Sequence, residues 1–334
     1  RASAADIEEQ QRRQQLDESI KRALDYLHKE QNVDGAWSNN PAITSLSVMA
    51  FMAAGHVPGE GPYGTTVKKG IEWIVSQQQE NGLIATVGKG EMYHHGIATL
   101  MLAEAAGMAD EKLGKDIRKR LEKAVLVILD AQRKTGQYRG GWHYTRADSG
   151  QADMSLTGWQ IMALRAAKNV GCDVPYDRIA EAVDYIKRSR DPVTGGYRYQ
   201  VVGNRVTVPC TGTAILALEV CGKDLHRAPE LLKAGSYILQ EHNRPRWGST
   251  HFSYGIYYCS QAMFQLGGNY WQDFRPKMHK ELLTNQRSNG SWVAADGGSA
   301  AHGVPYSTAM AVLALAVEYR YLPIYQRDEE AGDK

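Results

Sequence analysis

The sequence predicts an all-α fold: a single α/α toroid of about six inner and six outer helices, with short hairpins in some of the loops at its mouth. Three observations lead there. Six times along 334 residues an amphipathic helix signal is followed by a Gly/Trp-rich turn and then by a helix of small and apolar residues. The clearest turns, QNVDGAW at 31–37 and QRSNGSW at 286–292, share one spacing: Gln, three residues, Gly, one residue, Trp. Neither terminal copy is more polar than the rest, as the caps of an open solenoid would be, whereas closure into a ring removes the ends.

The first outer helix is read from DESIKRALDYLHKE, where Ile20, Ala23, Leu24 and Leu27 fall on one face. After the turn, Asn40 is placed to cap a helix and Pro41 to occupy its first turn, and ITSLSVMAFMAAG runs apolar nearly all round to Gly55. A helix without a polar face must be surrounded. The second pair is TVKKGIEWIVSQQ with GIATLMLAEAAG, and the third is segment 111–133 with SLTGWQIMALRAA. YDRIAEAVDYIKR with TGTAILALEVCG, APELLKAGSYILQ with YYCSQAMFQLGG, and FRPKMHKELLTNQ with YSTAMAVLALAVEY complete the six. The toroid is placed at 17–322, between an N-terminal extension (1–16) and a C-terminal tail (323–334). Loops such as RKTGQYRGGWHYTRADSGQ are long and aromatic and are expected to gather at one mouth.

Composition narrows the function classes. The balance of 39 basic against 37 acidic residues builds no field for nucleic acid or an anionic membrane. No apolar run approaches the roughly 20 residues that span a bilayer. Cys172, Cys210, Cys221 and Cys259 contain no CxxC pair and suggest neither a disulfide framework nor a zinc site. The Ala-Ser-Ala near the start is like the small-residue end of a removed export signal, which points to an exported or periplasmic protein; trimming of a cytoplasmic chain accounts for it equally.

The QxxxGxW turns followed by Thr/Ser-rich apolar helices resemble the repeats of squalene-hopene cyclases and protein prenyltransferase β-subunits, over essentially the whole chain. In that resemblance the Gln and Trp of the turns are scaffold. The cyclases protonate an alkene with the middle aspartate of an Asp-x-Asp-Asp-Thr-Ala motif, which aligns with Gln151-Ala-Asp153-Met-Ser155-Leu. Asp153 takes the middle place, while Gln151 and Met154 replace the flanking acids. Asp153 is therefore either a proton donor or a helix-capping carboxylate. The prenyltransferases bind zinc through Asp-x-Cys and a distant His, but Asp153-Met-Ser155 has a hydroxyl where the thiolate stands. Cys210 and His94 or His95 do not follow the family's order, so no metal and no other cofactor is expected. No GCGEQ-like run supports thioester chemistry.

Polar and aromatic residues recur where inner helices begin: Tyr93, His94 and His95; Trp142, Tyr144 and Arg146; Arg205 and Cys210; Tyr254, Tyr257 and Tyr258; His302 and Tyr306. Adjacent His94 and His95 point about 100° apart on a helix, so no more than one is expected to face the cavity, and for either taken alone a satisfied buried histidine is the safer reading. Tyr254, Tyr257 and Tyr258 follow i, i+3, i+4 spacing and form one stripe, either core or ligand surface. Tyr 18 and Trp 7 against Phe 4 makes a chain rich in rings with polar tips.

The expected partner is a small molecule, apolar or amphiphilic and isoprenoid-like, held in the central cavity. In a cyclase, Asp153 would donate the proton and Trp142 with the tyrosines would stabilise cations. The alternatives are a noncatalytic binding or interaction scaffold, and a carbohydrate-active lyase or hydrolase on an α/α barrel. The last would draw on Asp153 with Glu91, or His95 with Arg146.

Overall fold

Outer and inner helices alternate along the chain, and each outer helix packs at least as closely on the inner helix before it as on the one after it, the first outer helix lying against the last inner one. The computed structural model describes residues 4–86, 90–147, 149–221 and 225–326. The outer helices are α1 (Ala4–Glu30), α3 (Gly64–Ser76), α5 (Glu111–Ala131), α7 (Tyr176–Arg188), α9 (Pro229–Leu239) and α11 (Gly268–Asn285). The inner ones are α2 (Pro41–Ala53), α4 (Glu91–Ala106), α6 (Met154–Asn169), α8 (Val208–Cys221), α10 (Phe252–Leu266) and α13 (Val304–Leu315), the last preceded by the short α12 (Gly297–Ala300). Each inner helix packs on the next, and α13 packs on α2. The stack is a closed α/α toroid, as the repeats predict.

The hydrophobic pattern explains the two layers. Leu16, Ile20, Ala23, Leu24 and Leu27 of α1 are buried while its other face is in water. In α2 nearly every residue is buried, and Asn40 caps its amides at Ala42 and Ile43 with Pro41 in the first turn.

The turns hold the ring together. The Gln31 amide donates to Gly35 O within its own turn and to Thr66 O of the neighbouring outer helix. Gln78 does the same to Gly82 O and Arg120 O, and Gln132 to Gly140 O and Arg178 O. Gln286 donates to Gly290 O and to Ser19 O on α1, which joins the last repeat to the first. The Trp37, Trp142 and Trp292 indoles donate to carbonyls in the last turn of their own outer helix, at Leu27, Ile128 and Leu282. Those carbonyls have no partner within the helix. The backbone amides of the same tryptophans donate to Thr44, Thr157 and Thr308 on the inner helices.

Two segments differ from the expected boundaries. Residues 4–16, read as an extension, continue α1, because Leu16 belongs to its buried face; residues 1–3 lie outside the described chain. Glu318, in the 3-10 turn after α13, meets Arg12 of α1 at 2.9 Å and Arg275 of α11 at 3.2 Å, clamping the seam where the ring closes. In the segment read as a tail, Pro323–Tyr325 forms a 3-10 turn with Ile324 and Tyr325 buried; residues 327–334 lie outside the described chain. The Ile324 amide donates to Glu104 of α4, and Gln265 of α10 donates to Tyr325 O. Helices α4 and α10 stand opposite each other in the ring, so this turn lies on its axis and plugs the end away from the Trp turns.

Two stability measurements follow. Gly290 has φ +90°, and a Cβ there would sit 2.1 Å from Arg22 O. Gly290→Ala should cost about 2–4 kcal/mol and Gln286→Ala about 1–3 kcal/mol in urea unfolding; wild-type midpoints for both would mean the closing turn contributes nothing. Burial pushes the Glu104 carboxyl up from 4.5 to about 8. The unfolded chain releases that proton first, so wild-type stability should fall as pH rises from about 4.5 to 8, on the order of 2–4 kcal/mol. Glu104→Gln should lack this slope.

Candidate functional site

Because all six inner helices run the same way, three of them from the turns of Trp37, Trp142 and Trp292, their N-termini open on one mouth. Three strands of chain meet there. The Asp153 amide donates to Trp142 O, the Met92 amide to Tyr144 O, and the Met154 amide to Tyr199 O. Tyr199 follows β1 (Tyr197–Arg198), which pairs antiparallel with β2 (Val206–Thr207) in a short hairpin over the mouth. Glu91 accepts from the Arg146 amide at 2.8 Å, fixing the 141–147 loop to the start of α4.

Five tyrosines present partly exposed rings: Tyr93, Tyr144, Tyr199, Tyr254 and Tyr306. Tyr93 and Tyr144 have centroids 5.6 Å apart, and the Tyr144 and Tyr199 hydroxyls bond at 3.0 Å. Arg205 lies over the Tyr199 ring at 5.8 Å. Tyr254 bonds Thr213 of α8 at 2.7 Å, and Tyr306 packs on His302 at 4.9 Å. Burial holds the His94 and His302 pKa values below the ordinary imidazole value, each lowered further by a neighbouring histidine, His302 for the former and His251 for the latter. The mouth therefore carries hydrogen-bonding rings, with the Arg205 guanidinium beside them.

Asp153 is fully buried and caps α6: its Oδ1 accepts the Leu156 amide at 3.0 Å and the Ser155 hydroxyl at 2.5 Å. Among the described residues its Oδ2 has no partner. Burial raises its pKa, opposed by the Ser155 and Leu156 hydrogen bonds. The Tyr93 hydroxyl donates to Ser155 Oγ at 2.5 Å.

The other candidates separate by depth. His95 is a scaffold residue: Nδ1 accepts the Ile84 amide at 3.0 Å and Nε2 donates to Ala124 O at 2.9 Å. It fills in the second repeat the place that Thr44, Thr157 and Thr308 fill elsewhere, and burial lowers its pKa to about 4. Its neighbour His94 faces the mouth, with Nε2 3.3 Å from the Asn40 side-chain amide. Trp142 is buried whole against its outer helix, so its ring does not line the mouth. Cys210 is buried at the start of α8, its thiol pushed up to about 12 by burial. Tyr257 and Tyr258 lie below the mouth: Tyr257 stacks on Trp159 at 5.6 Å and bonds the Tyr325 hydroxyl, and Tyr258 packs edge-on to Trp159. Among the described residues no three His, Cys, Asp or Glu side chains converge as a metal-holding group, and no helix is long and apolar enough to cross a membrane.

Sequence reading passed over Tyr199 and Trp159 and gave Ser155 no role in a site. The alternation YRYQVVGNRVTV with its Gly-Asn turn signals the hairpin that delivers Tyr199. Nothing in the pattern of α6 marks Trp159 as the side chain that crosses the axis.

No protein-family model and no curated protein matches this chain. Solved structures do. It is similar to an α-1,6-mannanase of Salegentibacter sp. in complex with α-1,6-mannotriose, with a TM-score of 0.70, 10% identity, and 90% of this chain and 98% of that one covered. The cellobiose 2-epimerase of Bacillus thermoamylovorans superposes with a TM-score of 0.66 at 10% identity, over 90% of this chain and 99% of the other. A type II terpene cyclase from Scytonema gives 0.58 at 15% identity, over 92% and 99%. The chain has the six-hairpin α/α toroid fold. At these identities the likeness shows the fold alone.

The cap role of Asp153 is testable by unfolding. Asp153→Ala should cost about 0.5–2 kcal/mol, and Asp153→Asn, which can cap as Asn40 does, should keep most of that stability. Equal losses in urea unfolding at pH 6 would contradict the cap.

Proposed function

We propose that this toroid binds a polyhydroxylated small molecule, a monosaccharide or short oligosaccharide, in its tyrosine-lined mouth. One observation carries the reading. The ring axis below the mouth is occupied by Trp159, Tyr257, Tyr258 and Tyr325, whereas the open end presents rings with polar tips. Tyrosine faces stack on the apolar face of a sugar while their hydroxyls and neutral imidazoles bond its hydroxyls. A long hydrocarbon needs an apolar bore instead. The mannotriose held by the mannanase and the cellobiose named for the epimerase support the same ligand class.

The carboxyls nearest the mouth argue against hydrolysis as its use. Among the described residues Asp153 and Asp296 each use Oδ1 for a helix cap, leaving Oδ2 without a partner, and Glu91 holds a loop amide, so each of the three is already fixed to backbone. Binding, with at most proton transfer, is the chemistry this supports.

A second reading draws on Asp153 itself, a buried carboxyl with raised pKa and one unpartnered oxygen, at the position where the resembled cyclases keep their acid. It requires cyclised product from squalene or geranylgeranyl diphosphate.

Calorimetric titration with mannose, α-1,6-mannobiose, cellobiose and geranylgeranyl diphosphate separates the two. The sugar reading expects saturable binding of at least one sugar, weakened roughly tenfold by Tyr254→Ala or Tyr306→Ala, about 1.4 kcal/mol. Binding of the diphosphate alone would overturn it.

A further inference from the structure

Asp153 has no exposed surface, Ser155 is 7% exposed, and Tyr93 opens on the mouth. These three groups form one directed chain: Tyr93 donates to Ser155 Oγ and Ser155 donates to Asp153 Oδ1, both at 2.5 Å. The Ser155–Asp153 bond has the length of a charge-assisted O–H···O⁻ bond, and hydrogen bonds in a chain polarise one another. Of the three, Tyr93 is the one that is partly exposed and within reach of a ligand in the mouth. The Tyr93 ring is held by Tyr144 on one side, and its hydroxyl is fixed by Ser155 of the neighbouring inner helix.

We propose that Tyr93 exchanges a proton with the anomeric hydroxyl of a bound reducing sugar, with Ser155 and Asp153 behind it as a relay, so that the toroid interconverts sugar anomers. This rests on the sugar-binding reading. In the step, the O1–H proton passes to the Tyr93 oxygen as the Tyr93 proton moves to Ser155 and the Ser155 proton moves to Asp153. The O1 electron pair forms the C1=O1 bond, the C1–O5 bond breaks, and O5 takes a proton from a water in the mouth, leaving hydroxide that recovers it on reclosure. Reclosure on the other face of C1 reverses each transfer. Ser155 and Asp153 are positioning residues; Tyr93 alone meets the sugar. Burial makes the Asp153 carboxylate a stronger base than an exposed one, which suits the end of a relay.

The test is polarimetry of freshly dissolved α-D-mannose with the full chain, together with calorimetric binding of the same sugar. Wild type should speed the approach to anomeric equilibrium over buffer. Tyr93→Phe and Asp153→Asn should each lower the enzymatic rate about 100-fold or more while affinity changes only a few-fold. The wild-type rate should rise with pH through a single ionisation that Asp153→Asn abolishes. Mannose binding without acceleration, or an unchanged rate in Tyr93→Phe, overturns the relay and leaves the binding reading standing. Absence of binding for mannose, mannobiose and cellobiose removes both.

Discussion

A glutamine side chain that bonds its own turn and the neighbouring outer helix at once is the constraint on which the rest of this toroid depends. At Gln31, Gln78, Gln132 and Gln286 one amide group spans two successive repeats. The glycine four or eight residues later lets the turn approach that neighbour closely: Cβ atoms at Gly35, Gly82, Gly140 and Gly290 would lie within 2.0–2.6 Å of its carbonyls. Each such bond adds about 1 kcal/mol, little by itself. Repeated around the ring, it sets the rotation from one helix pair to the next, and Gln286 on Ser19 closes the circle.

Closure has a directional consequence. Since the Trp-type turns all lie at one end, the inner helices are parallel, and their unpaired first-turn amides converge on that end. Polar side chains belong there, and the mouth accordingly collects capping residues, tyrosine hydroxyls and histidines. The opposite end has the reverse requirement and is filled by Ile324 and Tyr325, tied to Glu104 and Gln265. A cup with a filled stem results, which separates this toroid from a bored one without any change in the ring.

The ring was legible in the sequence because its pattern is local: amphipathic period, turn glycine, apolar helix. The Gln clamp was legible only in part, since its second partner is a backbone carbonyl 35 to 46 residues away for the first three turns and 267 residues away at the seam. The tyrosine stripe shows the same limit. Tyr254, Tyr257 and Tyr258 do share a helix, but three or four residues descend about 5 Å along the axis, which moves the last two from the mouth into the core. The His94 and His95 pair divides as their angular separation requires, with one on the mouth and one in the scaffold. Trp142 reads like a ligand-facing ring until its indole is seen to serve Ile128 O. The axial turn at 323–325 has no periodicity to betray it.

Native-state hydrogen exchange tests the closed ring most directly. The amides of Trp37, Ile84, Trp142, Tyr197 and Trp292 each donate to a side chain at the start of an inner helix, one per repeat for five of the six repeats. In a ring fastened at Ser19 and Gln286, all five should exchange through the same global opening, with the first and sixth repeats as protected as the third. Protection that falls off toward Trp37 and Trp292, as the ends of an open solenoid fray, would contradict the account.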